Sequence, residues 1–160
     1  ENNIKRMVRA LEFHHACGGK ISEHNEAERQ KDSPYNFAYF VLNDDRQKLY
    51  ERINDRVEQM IANGLVEEVK KLQELGCNRS MVSMQGLGYK EILAYLEGEL
   101  ALEDAIYQIK RDTRHFAKRQ LTWFRREREV IWVDKPTFDY DNDKIVSYMQ
   151  KLLIEKGIIL

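Results

Sequence analysis

The sequence predicts an α/β fold that is mostly helical and shows about two strands. Phe37-Ala38-Tyr39-Phe40-Val41-Leu42 is short, aromatic and partly β-branched, and Val130-Ile131-Trp132-Val133 repeats that character. The first of these runs is followed at once by a helix signal, and a strand feeding directly into a helix is the grammar of an α/β chain. Through most of the remaining sequence, apolar residues recur at helical spacing.

The elements follow in order. Asn2 or Asn3 is placed to cap a first helix with the stripe Ile4, Met7, Val8, Leu11 and His15, and Gly18-Gly19 ends it. Residues 20–36 are polar and aperiodic, with one Pro, and read as a loop or connector. After the first strand, Asp44 with Gln47 resembles a capping box, and Leu49, Tyr50, Ile53, Val57, Met60 and Ile61 mark the buried face of the next helix. Asn63-Gly64 breaks that helix, and Leu65 to Leu75 makes a shorter one closed by Gly76. Residues 77–88 hold Gly86 and Gly88 and read as a loop, before a short helix from Tyr89 to Leu96 that Gly98 ends. A long basic helix starts near Leu102 or Glu103, where Ala101 occupies the position of a capping Ser. Beyond the second strand and Asp134, Asn142 to Lys156 form a last amphipathic helix with Ile145, Met149, Leu152 and Leu153 inward. There is no internal repeat and no low-complexity tract.

Composition narrows the function classes. The chain of 160 residues is 42% hydrophobic and 33% charged, which suits one core-forming domain or a large part of one. No apolar run approaches the roughly 20 residues that span a bilayer, and no signal peptide is visible, so a cytoplasmic protein without a membrane partner is expected. Cys17 and Cys77 lack CxxC or Cys/His spacing, so both read as small buried apolar residues of a reducing compartment. Adjacent His14 and His15 are poorly spaced for a metal on a helix, Asp44-Asp45 alone makes no DDxxD run, and no Ser/His/Asp arrangement is present. No metal site is expected from these residues. A start at Glu1, without Met and straight into a helical pattern, reads as a piece of a longer protein.

Residues 105–128 carry most of the functional information. They hold eight Lys or Arg against Asp112 and Glu127, a net +6 in a chain of net −1. On a helical wheel, Ala105, Ile106, Ile109, Thr113, Phe116, Ala117, Gln120 and Phe124 share one face. Arg111, Arg114, His115, Lys118, Thr122 and Arg125 share the other. A basic ridge of this kind is a footprint for phosphate, an RNA backbone above all; a solvated helix face is the alternative.

Three further features invite chemistry. Arg46 falls in the apolar arc of its helix, in the first turn after a strand, where α/β sheets bind ligands and where a guanidinium suits phosphate. Arg56 lies at the edge of the same arc; pairing of Arg46 with Asp44 or another nearby acid is the alternative. Gln85-Gly86-Leu87-Gly88-Tyr89-Lys90 places two glycines before a helix, with a stacking face on Tyr89 and a charge on Lys90. Its spacing is not that of a Walker phosphate loop, and an ordinary turn is the alternative. In Lys5-Arg6-Met7-Val8-Arg9 the apolar pair belongs to the core stripe and the cations stand outside it, as on many solvated faces.

Together these blocks resemble the C-terminal portion of the bacterial tRNA dimethylallyltransferases. The resemblance runs through Asn3–Glu12, Asp45-Arg46 to Arg56-Val57, Gly86-Leu87-Gly88-Tyr89-Lys90-Glu91, Tyr95–Glu99 and Lys110–Arg126. Ala117-Lys118-Arg119-Gln120-Leu121-Thr122-Trp123-Phe124-Arg125 is its most specific block. It implies a P-loop NTPase-like α/β core with a helical insertion. Residues 1–30 would be the end of the insertion and a connector, and residues 31–160 the C-terminal part of the core. The implied reaction transfers a dimethylallyl group from dimethylallyl diphosphate to N6 of adenine 37 in the tRNA anticodon loop, with the base flipped from its stack. Magnesium would assist through the diphosphate, by ligands outside this chain. The tRNA anticodon stem-loop would meet Lys5, Arg6, Arg9, Gln85, Gly86, Gly88, Tyr89, Lys90, Arg111, Arg114, Lys118, Arg119, Gln120, Thr122, Trp123 and Arg125. Arg46 and Arg56 would lie toward the diphosphate. The family's phosphate loop and catalytic aspartate precede Glu1, so this piece alone is expected to be inactive. A monomer is expected. A non-catalytic RNA-binding module and the tail of a P-loop nucleotide kinase are the rival readings.

Overall fold

Asn3 starts the first helix, α1 (Ile4–Cys17): its side chain accepts the Arg6 N–H at 3.3 Å, and Gly18 closes the helix at φ 69°. These features come from a computed structural model that describes residues 3–159; the alternative cap Asn2 lies outside the described residues. Residues up to Phe37 form one unit and those from Ala38 another. The expected boundary after residue 30 divides the chain by role; the structural division falls seven residues later.

The first unit departs from expectation twice. Residues 20–36 are not all loop, because Ile21–Arg29 form a helix, α2. It has no apolar stripe to announce it and rests on helix-favouring Glu, Ala and Arg, with Lys20 pairing with Glu23 at 3.1 Å and Lys31 with Glu28 at 2.5 Å. The stripe of α1 exists but is no core: Ile4, Met7, Val8 and Leu11 are all about half exposed or more. A short, polar α2 has too little apolar surface to cover it. Cys17 is likewise exposed, and Cys77 half-buried, where both were expected inside.

The second unit is built around a parallel pair, β1 (Tyr39–Asn43) and β2 (Val130–Asp134), in register from Tyr39 opposite Val130 to Asn43 opposite Asp134. The first strand starts two residues later than its apolar run, at Tyr39 rather than Phe37, and both strands end one residue beyond theirs, where the Asn43 side chain donates to Asp134 Oδ1 at 2.6 Å. Parallel strands need a long crossover, supplied by α3 (Arg46–Ala62), α4 (Leu65–Glu74), α5 (Tyr89–Leu96) and α6 (Leu102–Phe124). Val57, Leu65, Val69, Met84, Ile92, Leu93, Ala105 and Ile109 form the core of this helical layer. Met84 comes from a 3-10 turn, Val82–Gln85, inside the expected loop. The final helix, α7 (Asn142–Glu155), is capped by Asp141 and buries Ile145.

One cap was misplaced by one residue. Asp45, not Asp44, caps α3, accepting the Gln47 and Lys48 N–H groups at 2.9 and 3.1 Å. Asp44 instead turns inward, its side chain only 6% exposed. It accepts from the Tyr140 hydroxyl at 3.0 Å, the Asp45 N–H at 2.8 Å and the Arg52 guanidinium at 3.3 Å.

Candidate anion site and nucleic-acid interface

The carboxyl end of β1 opens onto a cleft of about 220 Å³ lined by Asn43, Asp44, Arg46, Leu49, Tyr50, Lys118, Leu121, Thr122 and Arg125. Arg46 is exposed here rather than inward. The helical core takes Val57 from α3, so the first turn of this helix lies beyond its cover, and an inward angle on the wheel leads into the cleft. Arg46 does not pair with Asp44. Its Nε donates to the Tyr50 hydroxyl at 3.1 Å, and its guanidinium carbon lies 5.2 Å from the Tyr50 ring centre. Asp44, the one carboxylate of the cleft, is already held by three donors. The lining is therefore cationic, with Arg46, Lys118 and Arg125 facing one space. Arg56 is exposed on α3 ten residues on, roughly 15 Å along the axis, and does not line the cleft.

The basic helix splits into two halves by charge pairing. Near its start, Lys110 pairs with Glu58, and Arg111 with Asp112 at 2.8 Å. That hydrogen bond raises the Arg111 pKa and holds the Asp112 carboxyl below its ordinary value. Arg114 is half-buried and donates to Asn54 Oδ1 at 2.6 Å, so it joins α6 to α3 instead of standing on the outer ridge as the wheel placed it. Further on, no carboxylate partner is found among the described residues for Lys118, Arg119 or Arg125. The free positive charge is concentrated in the last two turns.

Those turns carry a second, open cleft of about 510 Å³ lined by His115, Lys118, Arg119, Thr122, Trp123 and Arg126. Trp123 is 53% exposed and meets Phe124 edge-on at 5.2 Å, while Phe124 packs edge-on against Tyr39 at 6.0 Å. Phe116 and Gln120, assigned to the apolar face, are also exposed, and the Arg119 guanidinium lies 5.6 Å over the Phe116 ring. The reason is length. With 23 residues α6 runs for roughly 34 Å, and it buries only Ala105 and Ile109. Cations beside an open indole suit a nucleic-acid strand, phosphate on one side and a stacked base on the other. The Thr122 hydroxyl donates to the Lys118 carbonyl at 2.9 Å, leaving its lone pairs for a ligand.

The Gln85–Lys90 turn is tied into the fold. Gly88 is buried at φ 99°, a conformation a side chain would strain; Gly86 has an ordinary φ of −61°. The Tyr89 hydroxyl donates to Glu68, so this ring is anchored to α4 rather than free, and the bond raises its pKa. The Gln85 amide donates to the Arg79 carbonyl at 2.5 Å, and Lys90 lies 3.3 Å from buried Glu91, which accepts the Gly88 N–H at 2.9 Å. Lys5, Arg6 and Arg9 stand exposed on α1 in the other unit.

The sequence does not mark Asn43, Asp44, Leu49, Tyr50 and Leu121 of the first cleft, or His115 and Arg126 of the second, as site residues. Tyr50 was legible: it stands one helical turn after Arg46, the spacing at which side chains meet. Among the described residues no helix is long and apolar enough to cross a membrane, and no cluster of three His, Cys, Asp or Glu is arranged to hold a metal.

Comparison with known proteins points to one family. The family model described as IPP transferase matches residues 1–127. A tRNA dimethylallyltransferase of Lachnoclostridium phytofermentans is 60% identical over 159 residues, covering 99% of this chain and 50% of the relative. One from Acetivibrio thermocellus is 48% identical with the same coverage. The crystal structure of a full-length tRNA isopentenylpyrophosphate transferase from Bacillus halodurans superposes with a TM-score of 0.72 at 40% identity, over 97% of this chain and 46% of that one. A Staphylococcus epidermidis tRNA isopentenylpyrophosphate transferase gives 0.67 at 34% identity, over 94% of this chain and 50% of that one. The chain spans about half the length of the curated relatives it matches.

Proposed function

Because this chain belongs to the IPP transferase family, we propose that it supplies the tRNA-docking surface and part of the donor-diphosphate site of an enzyme that prenylates N6 of adenine 37. The observation that carries this reading is the cleft at the end of β1. Arg46, from the first turn of α3, shares it with Lys118 and Arg125, from the RNA-facing end of α6. A diphosphate and a nucleotide approaching from those two sides would meet there.

In the reaction, N6 bonds to the terminal carbon of the dimethylallyl group as the carbon–oxygen bond breaks, the electron pair leaves with the diphosphate, and N6 releases a proton. Fixed cations stabilise charge that grows on a leaving group, which is the role for Arg46 and its neighbours. The proton needs a base positioned within reach. Asp44, the one carboxylate lining this cleft, is already held by three donors, so in this reading the base comes from elsewhere in the enzyme. The lining fits an anion and offers no free carboxylate to a divalent cation. Any magnesium would arrive on the diphosphate and take protein ligands elsewhere, and no step here is routed through it. Residues 1–160 by themselves are accordingly inactive in this reading. The P-loop core and the monomeric state are part of the same proposal.

The test is Arg46→Ala in the full-length enzyme. The KM for dimethylallyl diphosphate should rise by roughly tenfold or more, as expected for a lost charge-assisted contact, with tRNA affinity and thermal stability nearly unchanged. A large fall in melting temperature at constant donor KM would show Arg46 to be structural.

A further inference from the structure

We propose that Tyr50 is a positioning residue that aims Arg46 at the donor diphosphate. The inference rests on the reading of Arg46 given above. A guanidinium at the start of a solvated helical turn has many rotamers, and ordering it costs entropy that weakens any contact it makes. Here Tyr50 removes that freedom. It is half-buried beside Leu49, one turn after Arg46, and its hydroxyl accepts from Arg46 Nε at 3.1 Å while its ring lies 5.2 Å from the guanidinium carbon.

The choice of nitrogen matters. With Nε engaged, the two terminal nitrogens remain as a parallel pair, the arrangement that grips two phosphate oxygens at once. So does the choice of partner. A carboxylate in the place of Tyr50 would orient Arg46 equally well but would neutralise it. Asp44 is the nearby acid that could do so, and it is taken up by Tyr140, Arg52 and the Asp45 N–H. Arg46 is thus held by a neutral acceptor and keeps its full charge for a ligand.

The experiment uses the full-length enzyme and inorganic pyrophosphate as a competitive probe of the donor site. Tyr50→Phe removes the acceptor and keeps the ring. It should raise the pyrophosphate inhibition constant and the donor KM by about 3–10-fold, the worth of one such hydrogen bond, with tRNA affinity unchanged. Tyr50→Leu, which also loses the ring, should raise both further. In an Arg46→Ala background, Tyr50→Phe should have no additional effect. The proposal is overturned if Tyr50→Phe leaves the inhibition constant unaltered while Arg46→Ala raises it, or if Tyr50→Phe has its full effect without Arg46. If Arg46→Ala itself leaves the inhibition constant unaltered, the reading of Arg46 fails and this inference with it.

Discussion

The Tyr140 hydroxyl donates to Asp44 across 96 positions of sequence, at 3.0 Å, and so joins the turn after β2 to the carboxyl end of β1. Tyr140 holds an unfavourable backbone to do so, with φ 61°, next to Asp139 at φ 53°. For a residue with a side chain, that region costs about 1–2 kcal/mol. The bond and the Lys48 ammonium, 4.0 Å from the Tyr140 ring centre, offset the strain. Tyr140→Phe should therefore lower unfolding stability by about 1–2 kcal/mol, seen as a lower urea midpoint at unchanged slope. A midpoint equal to that of the parent would show that the bond contributes nothing to holding this turn.

Charge pairing along α6 yields a prediction that the sequence alone would have stated differently. Lys118→Ala and Arg125→Ala should each make the salt dependence of tRNA binding shallower by about 0.7–0.9 units, the effect of one lost phosphate contact. Lys110→Ala and Arg111→Ala should barely alter it, because Glu58 and Asp112 already neutralise these cations. Arg114→Ala should cost about 1 kcal/mol of stability through its lost bond to Asn54. Binding measured across a salt series for all five variants decides the matter, and equal slopes at both ends of the helix would refute the division.

Trp123 stands open beside Lys118, Arg119 and Arg126. Stacking of a base on such a ring is worth about 1–3 kcal/mol. Trp123→Ala should weaken tRNA binding by roughly 5–150-fold with the salt slope intact, and Trp123→Phe should recover part of the loss. Quenching of indole fluorescence on adding an anticodon stem-loop is the direct check; fluorescence indifferent to RNA would place the base elsewhere.

Tyr89 provides a prediction in pH. Its hydroxyl donates to Glu68, which favours the neutral phenol and raises the pKa above the ordinary value of about 10. Only the protonated form makes the bond. The stability it adds is therefore fully present below about pH 10 and is lost as pH rises through the raised value. The gain is small, because solvent reaches the pair. Ultraviolet titration should show a late-ionising component that Tyr89→Phe removes. Should Tyr89→Phe instead take away an ordinary titration, the tether to Glu68 does not persist in solution.

Local chemistry alone determined much of this protein. Asn63-Gly64, Gly76 and Gly98 ended their helices where turn chemistry requires, and the short helix from Tyr89 to Leu96 was read to the residue. Strands and helices were legible because each alternation of apolar and polar residues reports a nearby covering surface. Where cover was lacking, the pattern misled. The stripe of α1 faces no core, and the far end of α6 exposes Phe116 and Gln120. A wheel gives the angle of a side chain about its own axis; it cannot say whether another element stands at that angle. Charge pairing was hidden for the same reason. Glu58 neutralises Lys110 from 52 positions away, and Tyr140 occupies Asp44 from 96. Which cations remain free for phosphate is a property of distance in space, and only the tertiary structure brings those distances into being.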